Sequence, residues 1–173
     1  MKKIFLLGIS LFAAGTLLAQ EKSVKDLEFL IGAWEVREDN FKEAWWEKST
    51  RIAQYVMDST YIEMESKAIS STGHERTYRW YIHYNSKAQQ FEMTSLFSNW
   101  HKVLHDVLVW DPENRKLTIR NGIDSSEEEY HERFGEIIFD EDFDGYIWKG
   151  ENKNGDPENP EIWEYVEMGT RIK

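Results

Sequence analysis

Apolar and polar residues alternate with a period of two along much of the chain beyond residue 31, as they do in strands that have one buried face. The pattern is clearest in TYRWYIHY, residues 77–84, and FEMTSLF, residues 91–97. A short turn-forming segment separates the two runs, so they predict a β-hairpin. The predicted inward face of this hairpin consists of Tyr78, Trp80, Ile82, Tyr84, Phe91, Met93, Ser95 and Phe97.

Clusters of Gly, Pro, Asn, Asp and Ser separate the other short apolar runs. The segment LHDVLVWDPENRKLTI, residues 104–119, predicts a second hairpin, with Pro112 at the first central position of its turn. RFGEIIF, residues 133–139, and GYIWKG, residues 145–150, suggest a third. Because no helical crossover lies between these runs, we predict an all-β fold: an antiparallel up-and-down barrel of about eight to ten strands.

A helical pattern precedes the first predicted strand. Residues 23–31 predict a short helix, because Ser23 can cap its N-terminus and Asp26 follows three residues later. The apolar stripe of this helix comprises Val24, Leu27, Leu30 and Ile31. Gly32 ends the helix, and we expect the helix to close one end of the barrel while Trp34 fills the base.

The element Gly32-Ala33-Trp34, following a short helix, resembles the calycin superfamily, the lipocalins and their relatives. In that superfamily a Gly-x-Trp element opens the first strand, and a basic residue near the last strand packs on the tryptophan. Arg171 is placed to be that residue. The resemblance implies a barrel base built from Gly32, Trp34 and Arg171, in which a guanidinium over an indole ring contributes about 0.5–2 kcal/mol.

The chain also resembles an uncharacterised exported bacterial family of lipocalin-like domains of unknown function. The similar segments are LEFLIGAW, YRWYIHYNSKAQQFEM, VLVWDPENRKLTI and EIWEYVEMGTRIK, and the resemblance covers most of the chain after the predicted signal peptide. No activity is established for that family. The resemblance therefore implies a fold and leaves the function to be argued from individual residues.

The N-terminal residues have the pattern of a secretory signal peptide. Lys2 and Lys3 precede an apolar run over residues 4–18, and Ala19 offers a small residue for cleavage. We therefore expect residues 1–19 to be removed, leaving residues 20–173 as a single lipocalin-like domain in the periplasm or outside the cell. The sequence contains no cysteine, which excludes disulfides and a cysteine-linked lipid anchor.

The charge of the chain restricts its partners. The formal net charge is −11, and loss of the signal, which contains two lysines and no acidic residue, would make it −13. Such a charge repels nucleic acid phosphates and anionic lipid surfaces, so we expect neither nucleic acid nor membrane insertion after signal removal. A small molecule remains the expected partner, and the sequence does not specify an oligomeric state.

Eight tryptophans, eight tyrosines and nine phenylalanines suggest an aromatic pocket inside the barrel for an apolar or aromatic small molecule. His105 is the histidine in an apolar run that could also face inward. The candidate ligand-binding residues are therefore Tyr78, Trp80, Ile82, Phe91, Met93, Ser95, Phe97 and His105. In the alternative interpretation the same aromatic residues fill the barrel, and the protein is an interaction or structural domain.

A cavity enzyme acting on a small organic molecule is a further alternative, but no nucleophile elbow, phosphate loop or zinc-protease helix is present. We assign no catalytic residue. The titratable groups available for such an enzyme are Tyr78, Arg79, His83, His105 and Glu132. Some similar barrels bind haem through a histidine near the C-terminus, but residues 161–173 contain none, so we expect neither haem nor another cofactor.

The segment DEDFDGYIWKGE, residues 140–151, matches the spacing of a calcium-binding EF-hand loop. The following NKNGDPENP cannot form the helix that returns the final glutamate to the ion, so we predict a hairpin loop instead. Asp140, Asp142 and Asp144 could then hold calcium weakly. The alternative is an acidic, solvated turn.

Overall fold

The computed structural model describes residues 22–121 and 130–173. The predicted signal peptide, residues 1–19, therefore lies outside the described residues. The described chain forms a 3-10 helix at Val24–Leu30 followed by ten strands. The strands are β1 (Gly32–Asn40), β2 (Trp45–Val56), β3 (Tyr61–Ser70), β4 (Glu75–Asn85), β5 (Gln90–Phe97), β6 (Trp100–Asp111), β7 (Lys116–Asn121), β8 (Tyr130–Phe139), β9 (Gly145–Asp156) and β10 (Asn159–Arg171).

The ten strands form one closed antiparallel barrel. Each strand pairs with its neighbours in the chain, and β1 pairs with β10 to complete the circle, with Trp34 opposite Arg171. Each described strand therefore has a paired neighbour on both sides, and no strand forms the edge of an open sheet, the usual site of edge-to-edge association. The prediction of an all-β, antiparallel up-and-down barrel is confirmed, and the number of described strands is the upper limit of the predicted range.

The N-terminal helix has the predicted cap. The Ser23 side chain accepts a hydrogen bond from the backbone, and the Asp26 side chain accepts one from the Ser23 N–H, so both halves of a capping box are present. Val24, Leu27 and Leu30 are buried at intervals of three, which matches the three residues per turn of a 3-10 helix. No helix within the described ranges is long and apolar enough to cross a membrane.

The base of the barrel joins this helix to β1 and β10. The Arg171 guanidinium lies 4.3 Å from the centre of the Trp34 ring and donates to the backbone carbonyls of Phe29, Ile31 and Phe143. Gly32 has a φ of 133°, and a Cβ at this position would lie only 2.5 Å from Arg171 Nη1. Glycine is therefore required both for the turn out of the helix and for the approach of Arg171.

The barrel interior has two halves of different character. The half beside the helix, which we call the closed end, is filled by apolar side chains that include Leu27, Trp34, Ile62, Ile82, Leu108, Leu117 and Ile119. Beyond it lies a polar layer made of Arg51, Glu167, Arg133 and Asp106, all of which are buried. The far end, beyond the polar layer, holds the candidate functional site.

We predict that Trp34→Ala lowers the free energy of unfolding by about 3–5 kcal/mol, because the indole is 2% exposed and its loss leaves a cavity under Arg171. Urea denaturation followed by circular dichroism measures the loss. The control is Val109→Ala on the outer face of β6, where the side chain is 53% exposed and the loss should stay below about 1 kcal/mol. A loss of similar size in Trp34→Ala would contradict the packed base.

Candidate functional site

A cavity of about 400 Å³ occupies the far end of the barrel. Its position follows from the lining residues, which come from the end of β1, the start of β2, the start of β4 and the corresponding parts of the later strands. The aromatic part of its wall consists of Tyr78, Trp80, Phe97, Trp100, Trp148 and Tyr165. The barrel is thus packed at the closed end and hollow at the far end.

The predicted hairpin β4–β5 is present, with Trp80 opposite Ser95 and Ile82 opposite Met93. Its seven candidate residues are distributed between the two halves of the barrel. Tyr78, Trp80 and Phe97 line the cavity. Ile82, Phe91 and Met93 belong to the packed core, and Ser95 is buried without lining the cavity.

The expectation that His105 faces inward is wrong. Its side chain is exposed on the outer face of β6, while its neighbours Leu104 and Asp106 are buried inside the barrel. The alternation in this strand is ambiguous because the outer face is also apolar, with Val103 and Val109 both exposed. Only the pairing of β6 with β5, which places Leu104 opposite Ser95, decides which face is inside.

In one arginine of the polar layer, every guanidinium nitrogen has a hydrogen-bond partner. Arg51 Nη1 and Nη2 donate to the two carboxylate oxygens of Glu167 at 2.9 and 2.8 Å. Nη1 also donates to the Tyr146 hydroxyl at 2.7 Å, and Nε donates to Ser66 at 3.2 Å. The guanidinium lies 4.7 Å from the Trp80 ring. Arg51 therefore ties β2, β3, β9 and β10 together and holds Trp80 in place.

The second arginine of the polar layer has much weaker contacts. Arg133 is 5% exposed and lines the cavity. Its Nη1 lies 3.4 Å from Asp106 Oδ2 and 3.5 Å from Ser95 Oγ. Its guanidinium is 5.8 Å from the Trp148 ring. A guanidinium has five N–H donors, and these contacts leave Arg133 less well paired than Arg51.

Other polar atoms near Arg133 also lack hydrogen bonds. Among the described residues, no partner is found for Trp148 Nε1, Asn152 Oδ1 or His131 Nε2, although all three atoms are buried and their residues line the cavity. His131 Nδ1 is paired with Asn154, which fixes the ring. Buried polar groups are normally satisfied, so these atoms on β8 and β9 are an exception among the residues that line the cavity.

Carboxylates lie on the part of the wall formed by β1, β2 and β10. Glu38 and Glu47 line the cavity together with Glu167. Burial, reinforced by the negative charges of Glu167 and Glu47, raises the pKa of Glu38 to about 8. Burial also raises the pKa of Glu47, although the Tyr78 hydroxyl donates to it at 3.0 Å. Glu38 is therefore protonated at neutral pH.

Sequence reasoning missed these charged residues because it searched for an apolar face. For Arg51, strand parity contained a signal, since Arg51 shares its face with Ala53; for Asp106 it did not, because both faces of β6 are apolar. A charged residue on an otherwise buried face is usually paired or functional. An inspection of strand parity that included charged residues would therefore have identified Arg51 as a candidate.

The titratable residues considered for a cavity enzyme do not converge. Tyr78 lines the cavity, but Arg79 is exposed and paired with Glu65. His83 pairs with Glu92 on the outer face. His105 and Glu132 are also exposed. This set therefore cannot form a catalytic site inside the barrel.

The acidic loop after β8 has internal contacts. Asp140 Oδ1 accepts from the Asp144 N–H at 2.9 Å, and Asp144 pairs with Lys173 at 2.7 Å and with Arg171 at 3.5 Å. No group of three potential metal ligands occurs in the part of the chain that the structure describes. Calcium at Asp140, Asp142 and Asp144 stays a prediction, which calorimetric titration of calcium into the wild type and Asp142→Ala would test.

Comparison with known proteins shows the fold. No family model and no curated protein matches the chain. Among solved structures, Rv2717c from M. tuberculosis aligns with a TM-score of 0.60 at 10% identity, over 87% of this chain and 97% of that one. The S-type phycobiliprotein lyase CPES from Guillardia theta aligns with a TM-score of 0.56 at 13% identity, over 88% and 94%. A de novo designed fluorescence-activating β-barrel aligns with a TM-score of 0.46 at 15% identity, over 84% and 95%.

The fold and the cavity define the class of this protein. The described chain is a ten-stranded antiparallel barrel with a short helix at one end and a cavity at the other. Similarity at such low identity supports the fold and assigns no activity.

We predict that the raised pKa of Glu38 makes the protein less stable as the pH rises from about 4.5 to about 8. In this range the folded protein retains a proton that the unfolded chain has lost, so increasing pH favours unfolding. Glu38→Gln removes this contribution, and its stability relative to the wild type should increase across the same range. Urea denaturation from pH 5 to pH 9 measures the free energy of unfolding of both proteins, and Glu35→Gln on the outer face is the control. Parallel curves for Glu38→Gln and the wild type would contradict the assignment.

Proposed function

We propose that this protein is a binding barrel for a small aromatic molecule, which it holds in the cavity at the far end. The observation that carries the proposal is the cavity of about 400 Å³ with aromatic walls and buried polar atoms that lack partners among the described residues. Small-molecule sites are typically concave, largely apolar and supplied with a few polar groups that orient the ligand.

The aromatic walls are held in position before any ligand arrives. Trp80 lies against Arg51, and Trp148 lies against Arg133 and packs edge-on against Tyr165. Tyr78 packs edge-on against Phe97. Preorganised rings lose little conformational entropy on binding, which favours a rigid, planar ligand. The likeness to the phycobiliprotein lyase supports this proposal at the level of the fold.

Export forms part of the same proposal, together with membership of the exported bacterial family suggested by the sequence motifs. The pattern of residues 1–19 supports export to the periplasm or the medium. Expression of the full chain in a Gram-negative host, followed by mass spectrometry of the periplasmic fraction, tests it. We expect the mass of a chain that begins at residue 20. Recovery of the chain in the cytoplasm with residues 1–19 still attached would contradict export.

A cavity enzyme is the second candidate. The observation in its favour is Glu38, which lines the cavity and, with a pKa of about 8, can donate a proton at neutral pH. Turnover of a cavity-bound molecule that is lost in Glu38→Gln would favour the enzyme. Binding without turnover would favour the binding barrel.

The binding proposal predicts that N-phenyl-1-naphthylamine, a neutral aromatic fluorophore, binds with saturable enhancement of its fluorescence. Leu104→Trp should weaken this binding by about tenfold or more, because Leu104 lines the cavity and an indole at this position fills part of it. Val103→Trp is the matched control, since Val103 is 41% exposed on the outer face of the same strand. Binding that never saturates, or that is equal in both variants, would contradict a ligand cavity.

A further inference from the structure

The two buried arginines of the polar layer differ in how completely they are paired. Every guanidinium nitrogen of Arg51 donates to a side chain of the barrel. Arg133 has an ion-pair distance of 3.4 Å to Asp106 and a hydrogen bond of 3.5 Å to Ser95, both made by the same nitrogen, Nη1. Arg51 is therefore part of the framework, whereas Arg133 has donors without a partner among residues 22–121 and 130–173.

The partners of Arg133 do not reach the cavity. Asp106 and Ser95 are 2% and 0% exposed, and neither lines the cavity surface, whereas Arg133 does. Neither carboxylate oxygen of Asp106 has a hydrogen bond within the described chain. Burial raises the pKa of Asp106 despite the nearby charge of Arg133. Asp106 thus compensates the charge of the Arg133 guanidinium only in part. The side of the guanidinium that faces the cavity remains available to a ligand.

The surroundings of Arg133 favour an aromatic group next to its charge. Trp148 lies beside the guanidinium at 5.8 Å, and Trp100 lies across the same region with its ring 5.2 Å from that of His131. All of these residues line the cavity. A planar ligand that stacks among these rings would bring a substituent within reach of Arg133.

We propose that the ligand of this cavity is an aromatic carboxylate whose carboxylate group pairs with Arg133 while its ring lies among the surrounding tryptophans. A guanidinium presents paired N–H donors that match the two oxygens of a carboxylate. A buried cation with incomplete pairing is costly, and the ligand's carboxylate would complete the pairing. This inference rests on the proposed binding function and specifies its ligand class.

The overall charge of the protein opposes the binding of anions in general. A formal net charge of −11 disfavours any anion in the general field of the molecule. A preference for a carboxylate over a neutral molecule of the same shape must therefore come from the local site.

The test compares 2-naphthoate with its neutral analogue 2-naphthamide by calorimetric titration of the wild-type protein. We expect 2-naphthoate to bind about tenfold tighter, as charge-assisted hydrogen bonds at a desolvated site would give. The double variant Arg133→Gln, Asp106→Asn replaces both charged groups of the buried pair by neutral amides. In this variant the ratio of the two affinities, 2-naphthoate over 2-naphthamide, should fall to about one while 2-naphthamide still binds. Arg133→Lys, which retains the charge without the paired donors, should give an intermediate ratio and serves if the double variant does not fold.

The controls separate this inference from the proposed function. Lys149→Gln removes an exposed cation from the outer face of β9 and should leave the ratio unchanged. Equal binding of the two naphthalenes to the wild type overturns the carboxylate inference and leaves the binding function standing. Loss of the preference in Lys102→Gln, but not in the Arg133 variants, overturns the assignment to Arg133. Failure of both compounds and of the neutral fluorophore to bind overturns the binding function as well.

Discussion

The structure depends on the closure of the barrel, in which β1 pairs with β10 and Arg171 is placed over Trp34. This pairing brings together residues from opposite ends of the described chain and converts an open antiparallel sheet into a barrel with an interior. Arg171 also binds the backbone carbonyls that end the N-terminal helix, so the helix is attached to the closing strands. Without closure neither the packed core nor the cavity would be enclosed.

The division of the interior into a packed half and a hollow half follows from the polar layer. The closed end excludes water by close packing of apolar side chains under the helix. Arg51 and Glu167 then form a buried, doubly hydrogen-bonded ion pair across β2 and β10. Buried ion pairs contribute little net stability compared with apolar residues of similar volume. Their presence at the floor of the cavity is therefore better explained by the polar surface that they give to the site than by stability.

Basic and acidic side chains lie on different walls of the cavity. Arg133 and His131 lie on the wall formed by β8, whereas Glu38 and Glu47 lie on the wall formed by β1 and β2. Protonation of Glu38 at neutral pH reduces the negative charge of that wall. An anionic group is therefore directed toward Arg133, and a group that forms hydrogen bonds without charge is better suited to the opposite wall.

The sequence by itself determined the features that depend on local pattern. Alternation of polarity gave the hairpins, Ser23 and Asp26 gave the helix cap, and Gly32, Trp34 and Arg171 gave the base. These signals are readable because each arises from neighbouring residues or from a strand with one apolar face.

The tertiary structure alone decided the site. In β6 both faces are apolar, so only pairing with β5 placed Asp106 inside and His105 outside. Arg51 meets Glu167 across 116 positions of sequence, a contact that exists only once the barrel has closed. Alternation identifies two faces of a strand, but the choice of inner face and of partners across the interior depends on the register of the whole sheet.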